Sequence, residues 1–232
     1  MSRRITEDFI KLNNFFNNYS LHSYATARKQ IEECKTMHKK LYGLMIFVAE
    51  FNYQTAKSQM LISDFFNEMN SDLLLSLFNW VQGMYKPAKL ELRCSIENFL
   101  KALLLINTPS VIEEKSVYAI FDLAKADKHF QTDLGRAQID LLRNDYSILC
   151  RTVHSAPLEL HSTSALNLLP QYDKVFSEEI ITLYTRILEA ILGVLYLNYP
   201  TIVDNMHPEN KKDYLDCLST TTKSQINTLL YS

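Results

Sequence analysis

The chain has 232 residues, of which 47% are apolar, and a net charge of −2, so it is long enough for one large domain with a sizeable core. Only four glycines and six prolines occur, too few turn residues for a sheet protein, and we therefore expect an almost entirely helical fold. The balanced charge does not indicate a nucleic-acid binder, although it does not exclude a local basic patch.

Apolar residues at helical spacing predict three helices in the first part of the chain, over residues 4–18, 22–50 and 54–69. The tripeptide Asn70-Ser71-Asp72 that follows is typical of a helix N-cap. We therefore expect a new helix to begin at Asp72 and to end near Gln82. Residues 1–70 are interpreted as an N-terminal helical extension.

The second part of the chain predicts the helices of a bundle. We expect a helix from Pro87 to about Asn107, a weaker one over 116–131, one from about Leu134 to Val153, and one over Glu178–Asn198 that Ser177 caps. Two short helices are expected near 208–218 and 221–231. The sequence thus predicts an all-α, up-and-down helical bundle over 71–200, with the extension before it and short C-terminal helices over 201–232.

The chain shows no sequence signal for secretion or for a membrane. Its first residues, MSRRITEDFIKLNN, lack the apolar core of a signal peptide. The longest uncharged apolar runs, Leu41–Ala49 and Ala190–Leu197, are shorter than the ~20 residues that span a bilayer. The four cysteines are far apart and form no CxxC pair. We therefore expect a soluble protein of the reducing cytoplasm, without a membrane partner.

Motifs for well-known chemistries are missing from the sequence. There is no GxxxxGK or GxGxxG phosphate loop, no HExxH zinc motif and no GxSxG elbow. The six histidines have no metal-ligand spacing on a helix. We therefore expect neither a metal site nor a cofactor.

Charged residues on an apolar helix provide the strongest hint of chemistry. Arg93, Glu97 and Lys101 lie four residues apart in the segment LRCSIENFLKALLLI, and buried charges are costly unless they are paired. The three residues are interpreted either as a structural ion-pair ladder or as part of a site. We expect His154, near the end of another predicted helix, to face them, with Arg151 on its own helix face.

Short motifs around these residues resemble the HEPN superfamily over roughly residues 72–200. They are Gly83-Met84-Tyr85, Ala88, Leu92–Glu97 (LRCSIE) and Tyr146-x-x-Leu149-x-x-x-Val153-His154. The resemblance implies a four- or five-helix bundle that pairs into a homodimer. Many members are metal-independent endoribonucleases in bacterial toxin, abortive-infection and antiviral systems, and others bind RNA or proteins without catalysis.

The resemblance implies that active members carry an arginine, usually followed by a polar residue, with four to six residues between the arginine and a histidine. In this chain Arg151 precedes His154 by three positions, and Arg143 precedes it by eleven. The spacing therefore departs from the pattern of the active members.

Cleavage of RNA without a metal needs a base, an acid and cations around the phosphate. We expect His154 to transfer the proton and Arg151 or Arg93 to hold the phosphate, with Glu97 orienting Arg93. Alternatively, His154 caps its helix and Arg151 is simply solvated. The sequence therefore predicts an RNA-binding protein or metal-independent endoribonuclease; the alternative is a non-catalytic, dimeric helical module that binds a protein partner.

Overall fold

A computed structural model describes residues 2–17, 28–55, 59–153 and 172–231. Within these ranges the regular structure is entirely helical, which confirms the all-α bundle. Short 3-10 segments cover Pro109–Glu113 and Lys128–Phe130. The α-helices are α1 (Arg3–Asn17), α2 (Arg28–Gln54), α3 (Met60–Val81), α4 (Tyr85–Leu104), α5 (Val117–Ala126), α6 (Asp133–Val153), α7 (Lys174–Asn198), α8 (Pro200–Asp204), α9 (Pro208–Leu215) and α10 (Thr220–Tyr231).

Helix α7 lies at the centre of the bundle and packs against α2, α4 and α6. Its second half, from Ala190 to Leu197, is buried throughout, so it needs helices around its whole circumference. By length and composition alone, α7 is also the one helix of the described residues that is able to cross a membrane. In this fold, however, 72% of its apolar window is buried inside the protein.

Helices α3 and α4 form an antiparallel hairpin, and α4 carries Arg93 and Glu97. The turn between them places Gly83 at a φ of 72°, a left-handed conformation that favours glycine. Across the hairpin, the Ser76 hydroxyl donates a hydrogen bond to the Ala88 carbonyl at 2.8 Å. Helix α6 packs against the other side of α4, so α4 lies between its hairpin partner and α6.

The expected helix start at Asn70-Ser71-Asp72 is wrong, because α3 runs through this tripeptide without a break. Asp72 is buried in the hairpin, and its carboxylate accepts a hydrogen bond from the Asn98 amide at 2.8 Å. A partner on the neighbouring helix thus satisfies the side chain that the sequence interpreted as a cap. The division of the chain between residues 70 and 71 consequently lies inside α3.

The expected cap at Ser177 is also wrong. Helix α7 begins at Lys174, where the Asp173 carboxylate accepts hydrogen bonds from the backbone amides of Val175 and Phe176, at 2.8 and 3.0 Å. The buried Ser177 hydroxyl instead accepts a hydrogen bond from the Trp80 indole at 3.0 Å. It connects α7 to α3 and does not start the helix.

The N-terminal region contributes to the common core. Side chains of α2, including Leu41, Phe47 and Phe51, belong to the same buried cluster as those of α3 and α7. Helix α1 lies outside α2, and the His38 ring of α2 forms a 2.8 Å hydrogen bond with the Asp8 carboxylate of α1. Within the N-terminal extension that the sequence predicted, α1 therefore lies on the outside, whereas α2 belongs to the bundle.

Candidate functional site

Arg93 and Glu97 form a partly buried ion pair on α4, as the sequence predicts. A guanidinium nitrogen of Arg93 lies 3.0 Å from the Glu97 carboxylate, and the two side chains are 21% and 26% exposed. The expected ladder does not continue to Lys101, whose ammonium group donates to the Ile112 carbonyl at 3.3 Å. The three charges therefore make one ion pair and one separate contact.

Tyr146 of α6 completes this pair from across the helix interface. Its hydroxyl accepts a hydrogen bond from Arg93 Nε at 2.8 Å and donates one to Glu97 Oε1 at 2.9 Å. The guanidinium carbon of Arg93 also lies 5.1 Å from the centre of the Tyr146 ring, within the range of a cation–π contact. The Tyr146 ring is buried, and its hydroxyl links both charges.

The environment of these three residues keeps Arg93 charged and Tyr146 neutral. Burial disfavours the charge on Arg93, but the Tyr146 hydrogen bond and the Glu97 carboxylate outweigh it and hold the pKa of Arg93 above its ordinary value. Burial is also the main cause that raises the pKa of Tyr146 far above its ordinary value. The cluster therefore offers a fixed cation, whereas Tyr146 is not a base at neutral pH.

A second arginine–tyrosine pair lies next to the first. The guanidinium carbon of Arg143 on α6 is 5.8 Å from the ring centre of Tyr118 on α5, and Arg143 also forms a 2.9 Å ion pair with Asp122. The Tyr118 ring meets the Tyr146 ring edge to face, with centres 6.1 Å apart. We call Arg93, Tyr146, Tyr118 and Arg143 the arginine–tyrosine strip.

The strip combines two cations with two aromatic rings, an arrangement suited to phosphates and bases. Its two ends differ, because Tyr146 is buried whereas Tyr118 is 48% exposed. Sequence reasoning missed Tyr118 altogether. The i,i+4 spacing of Tyr118 and Asp122 on a predicted helix was the only available signal, and it does not identify Arg143 as their partner.

Of the two remaining predicted site residues, Arg151 is not part of the strip. Arg151 is exposed on α6, five residues after Tyr146, which places it roughly 140° around the helix. It therefore lies on a different face of α6 from the ring that contacts Arg93. His154 lies outside the described residues, so its expected approach to Arg93 and Glu97 stays a prediction.

The histidines that the structure describes have other partners. His38 contacts Asp8, His129 contacts Asp127, and the His207 side chain accepts a hydrogen bond from a backbone amide at the start of α9. None of these three belongs to the strip. Over the described ranges, no three His, Cys, Asp or Glu side chains are grouped so as to hold a metal ion.

A buried carboxylate lies on the other side of α4. Burial raises the pKa of Asp72 to about 6, and Glu91, Glu68 and Glu97 add to this effect, while the hydrogen bond from Asn98 opposes it. Burial likewise raises the pKa of the neighbouring Cys94 thiol to about 11, so this thiol is protonated at neutral pH and is a poor nucleophile.

Comparison with protein-family models, with curated proteins and with solved structures finds no match to this chain. The resemblance to the HEPN superfamily therefore depends on the short sequence motifs alone.

Proposed function

We propose that this chain is a HEPN-like helical protein that binds RNA through the arginine–tyrosine strip. The observation that carries the proposal is the arrangement of Arg93 and Arg143, each held against a tyrosine ring, with the two rings in contact. Arginine contacts phosphate through several donors in a fixed plane, and an exposed aromatic ring stacks on a base.

The partners of the two arginines leave them able to bind a phosphate. Arg93 uses two of its nitrogens for Tyr146 and Glu97, and a guanidinium has five N–H donors. The side chain of Arg143 is 34% exposed and its partner Asp122 is more exposed still. These contacts hold the guanidinium groups in place before RNA arrives, which lowers the entropic cost of binding.

Metal-independent cleavage of RNA is the catalytic form of this proposal. His154 then transfers the proton, Arg93 or Arg151 holds the phosphate, and Glu97 orients Arg93. By its resemblance to the HEPN superfamily, such a protein would act in a bacterial defence or toxin system. Without catalysis, the same surface serves as a binding site.

A second candidate function is the non-catalytic dimeric module that binds a protein partner. Leu74 and Leu75 of α3 and Leu90 of α4 are exposed on the hairpin. Exposed leucines on neighbouring helices are a common feature of protein interfaces. A homodimer through this hairpin is compatible with RNA binding, and sedimentation of the Leu75→Glu variant at several concentrations tests it.

RNA binding is tested with a labelled, unstructured RNA whose fluorescence anisotropy is followed at several salt concentrations. We expect the wild type to bind and Arg143→Ala to bind more weakly at low salt, because one phosphate contact is lost. The slope of log affinity against log salt should then fall by about 0.7 for a single strand. Arg3→Ala is the matched control, since Arg3 also forms a surface ion pair, with Glu7, but lies on α1.

Wild-type protein that binds no RNA at low salt contradicts the proposal, as does an equal loss of affinity in Arg143→Ala and Arg3→Ala. The catalytic form is tested on the same RNA in the presence of EDTA. It predicts cleavage by the wild type that disappears in His154→Ala. Cleavage that survives this substitution contradicts the role of His154.

A further inference from the structure

Tyr118 is an exposed aromatic residue whose ring is held by two contacts, near the capped start of its helix. It is the second residue of α5, and the Ser116 hydroxyl caps this helix by accepting a hydrogen bond from the Ala119 amide at 3.3 Å. Arg143 lies over its ring, and the Tyr146 ring meets it at an angle of 86°. About half of the Tyr118 residue nevertheless remains open to solvent.

Tyr118 combines a ring that its neighbours hold with a surface that is open to solvent. An exposed tyrosine without such neighbours is free to change rotamer. Here the cation and the edge contact hold the ring in one orientation before any ligand binds. A held ring loses less conformational entropy when a second flat group stacks on it.

We infer that Tyr118 is the stacking position for one unpaired base and that Arg143 contacts a phosphate beside that base. The inference rests on the RNA binding proposed above and names its substrate class, single-stranded RNA. In a duplex the faces of the bases are already covered by their neighbours, whereas an unpaired base presents a free face to an aromatic side chain.

The charges around Tyr118 are consistent with a weak, salt-sensitive contact between Arg143 and a phosphate. Asp122 lies 2.9 Å from Arg143, so an incoming phosphate shares the guanidinium with a carboxylate. Asp122 keeps the guanidinium beside the ring but reduces its net attraction for phosphate. Stacking on Tyr118 therefore contributes more of the affinity at high salt than the Arg143 contact does.

The test uses a short single-stranded RNA with one 2-aminopurine between uridines, because the fluorescence of this base is quenched when it stacks on an aromatic ring. Wild-type protein should bind and quench. Tyr118→Ala should lose the quenching and bind roughly tenfold more weakly, whereas Tyr118→Phe, which keeps the ring, should retain both. Tyr53→Ala removes a tyrosine that is 83% exposed on α2 and is the matched control, expected to behave as the wild type.

The same RNA annealed to its complement provides the second arm of the test, and we expect it to bind at least tenfold more weakly than the single strand. Circular dichroism of Tyr118→Ala confirms that its helices are intact. Wild-type binding that Tyr118→Ala leaves unchanged overturns the stacking position but leaves RNA binding standing. A duplex that binds as tightly as the single strand overturns the substrate class, and the absence of any RNA binding overturns the proposed function itself.

Discussion

Asp145 and Tyr146 are consecutive residues of α6, yet they hold arginines of two different helices in two different ways. Asp145 is fully buried, and both of its carboxylate oxygens accept hydrogen bonds from Arg186 of α7. Tyr146 faces α4, where one neutral hydroxyl joins Arg93 to Glu97. Because successive residues point about 100° apart on a helix, one turn of α6 serves both interfaces.

The first ion pair thus joins two helices, whereas the second lies within a single helix. In the first pair the carboxylate has no access to water, so it depends on Arg186. In the second, Arg93 is paired within its own helix and Tyr146 only orients it. We therefore expect substitutions in the first pair to affect stability most, and those in the strip to affect ligand binding as well.

The largest effect is expected for Arg186→Ala, which leaves the Asp145 carboxylate buried without its cation. The loss should be about 3 kcal/mol of the free energy of unfolding. Asp145→Ala should cost less, about 1–2 kcal/mol, because Arg186, 40% exposed, is able to turn towards water. Urea denaturation at neutral pH measures both losses. Equal losses, or a larger one for Asp145→Ala, contradict this asymmetry.

In the strip, Tyr146→Phe removes a single hydroxyl and preserves the ring. Arg93 and Glu97 each lose one hydrogen bond, but their ion pair remains. We therefore expect the free energy of unfolding to fall by about 1–2 kcal/mol. Arg93→Ala should lower the melting temperature to a similar extent, since both charges of the pair are about one-fifth to one-quarter exposed. Tyr53→Phe, which removes an exposed hydroxyl, is the control. Thermal melts of Tyr146→Phe that coincide with wild type would show that the hydroxyl is unimportant.

Asp72 provides a third case, a buried carboxylate that accepts its hydrogen bond from the neutral Asn98 amide. Its folded-state pKa of about 6 lies above the ordinary value of 3.8, so the folded protein binds a proton more tightly than the unfolded chain. The destabilisation is therefore complete only above about pH 7, and it is relieved as the pH falls through 6 towards 4.

Asp72→Asn should accordingly be more stable than the wild type at pH 8, by on the order of 1 kcal/mol, and this advantage should disappear near pH 4. Urea denaturation at several pH values measures it. Asp64→Asn, which changes an exposed carboxylate of the same helix, should show no such trend. A gain that is independent of pH would indicate a cause other than the charge of Asp72.

The smallest effect is expected for Lys101→Ala. Its ammonium group makes one 3.3 Å contact with a backbone carbonyl at the surface, and such contacts contribute less than about 0.5 kcal/mol. A loss as large as that of Arg93→Ala, measured in the same denaturation experiment, would show that Lys101 does belong to a charge ladder with Arg93 and Glu97.

Local sequence was sufficient to predict the positions of the helices in the bundle, but it did not identify the residues that cap them. The helix expected from Pro87 to about Asn107 is found at Tyr85–Leu104, and the one expected from about Leu134 to Val153 is found at Asp133–Val153. Apolar spacing reflects the helical repeat, which neighbouring residues determine together. Asp72 and Ser177 were misassigned as caps because short polar side chains also serve as partners inside an interface, and spacing along the chain does not distinguish the two roles.

The sequence by itself determined the helical class of this protein and the pairing of Arg93 with Glu97. Residues four apart on a helix are neighbours whatever the rest of the fold does. Only the tertiary structure decided that Tyr146 joins this pair from 49 and 53 residues away, and that Arg143 covers Tyr118. Contacts between helices depend on the rotation and crossing angle of each helix, which the packing of the whole core sets.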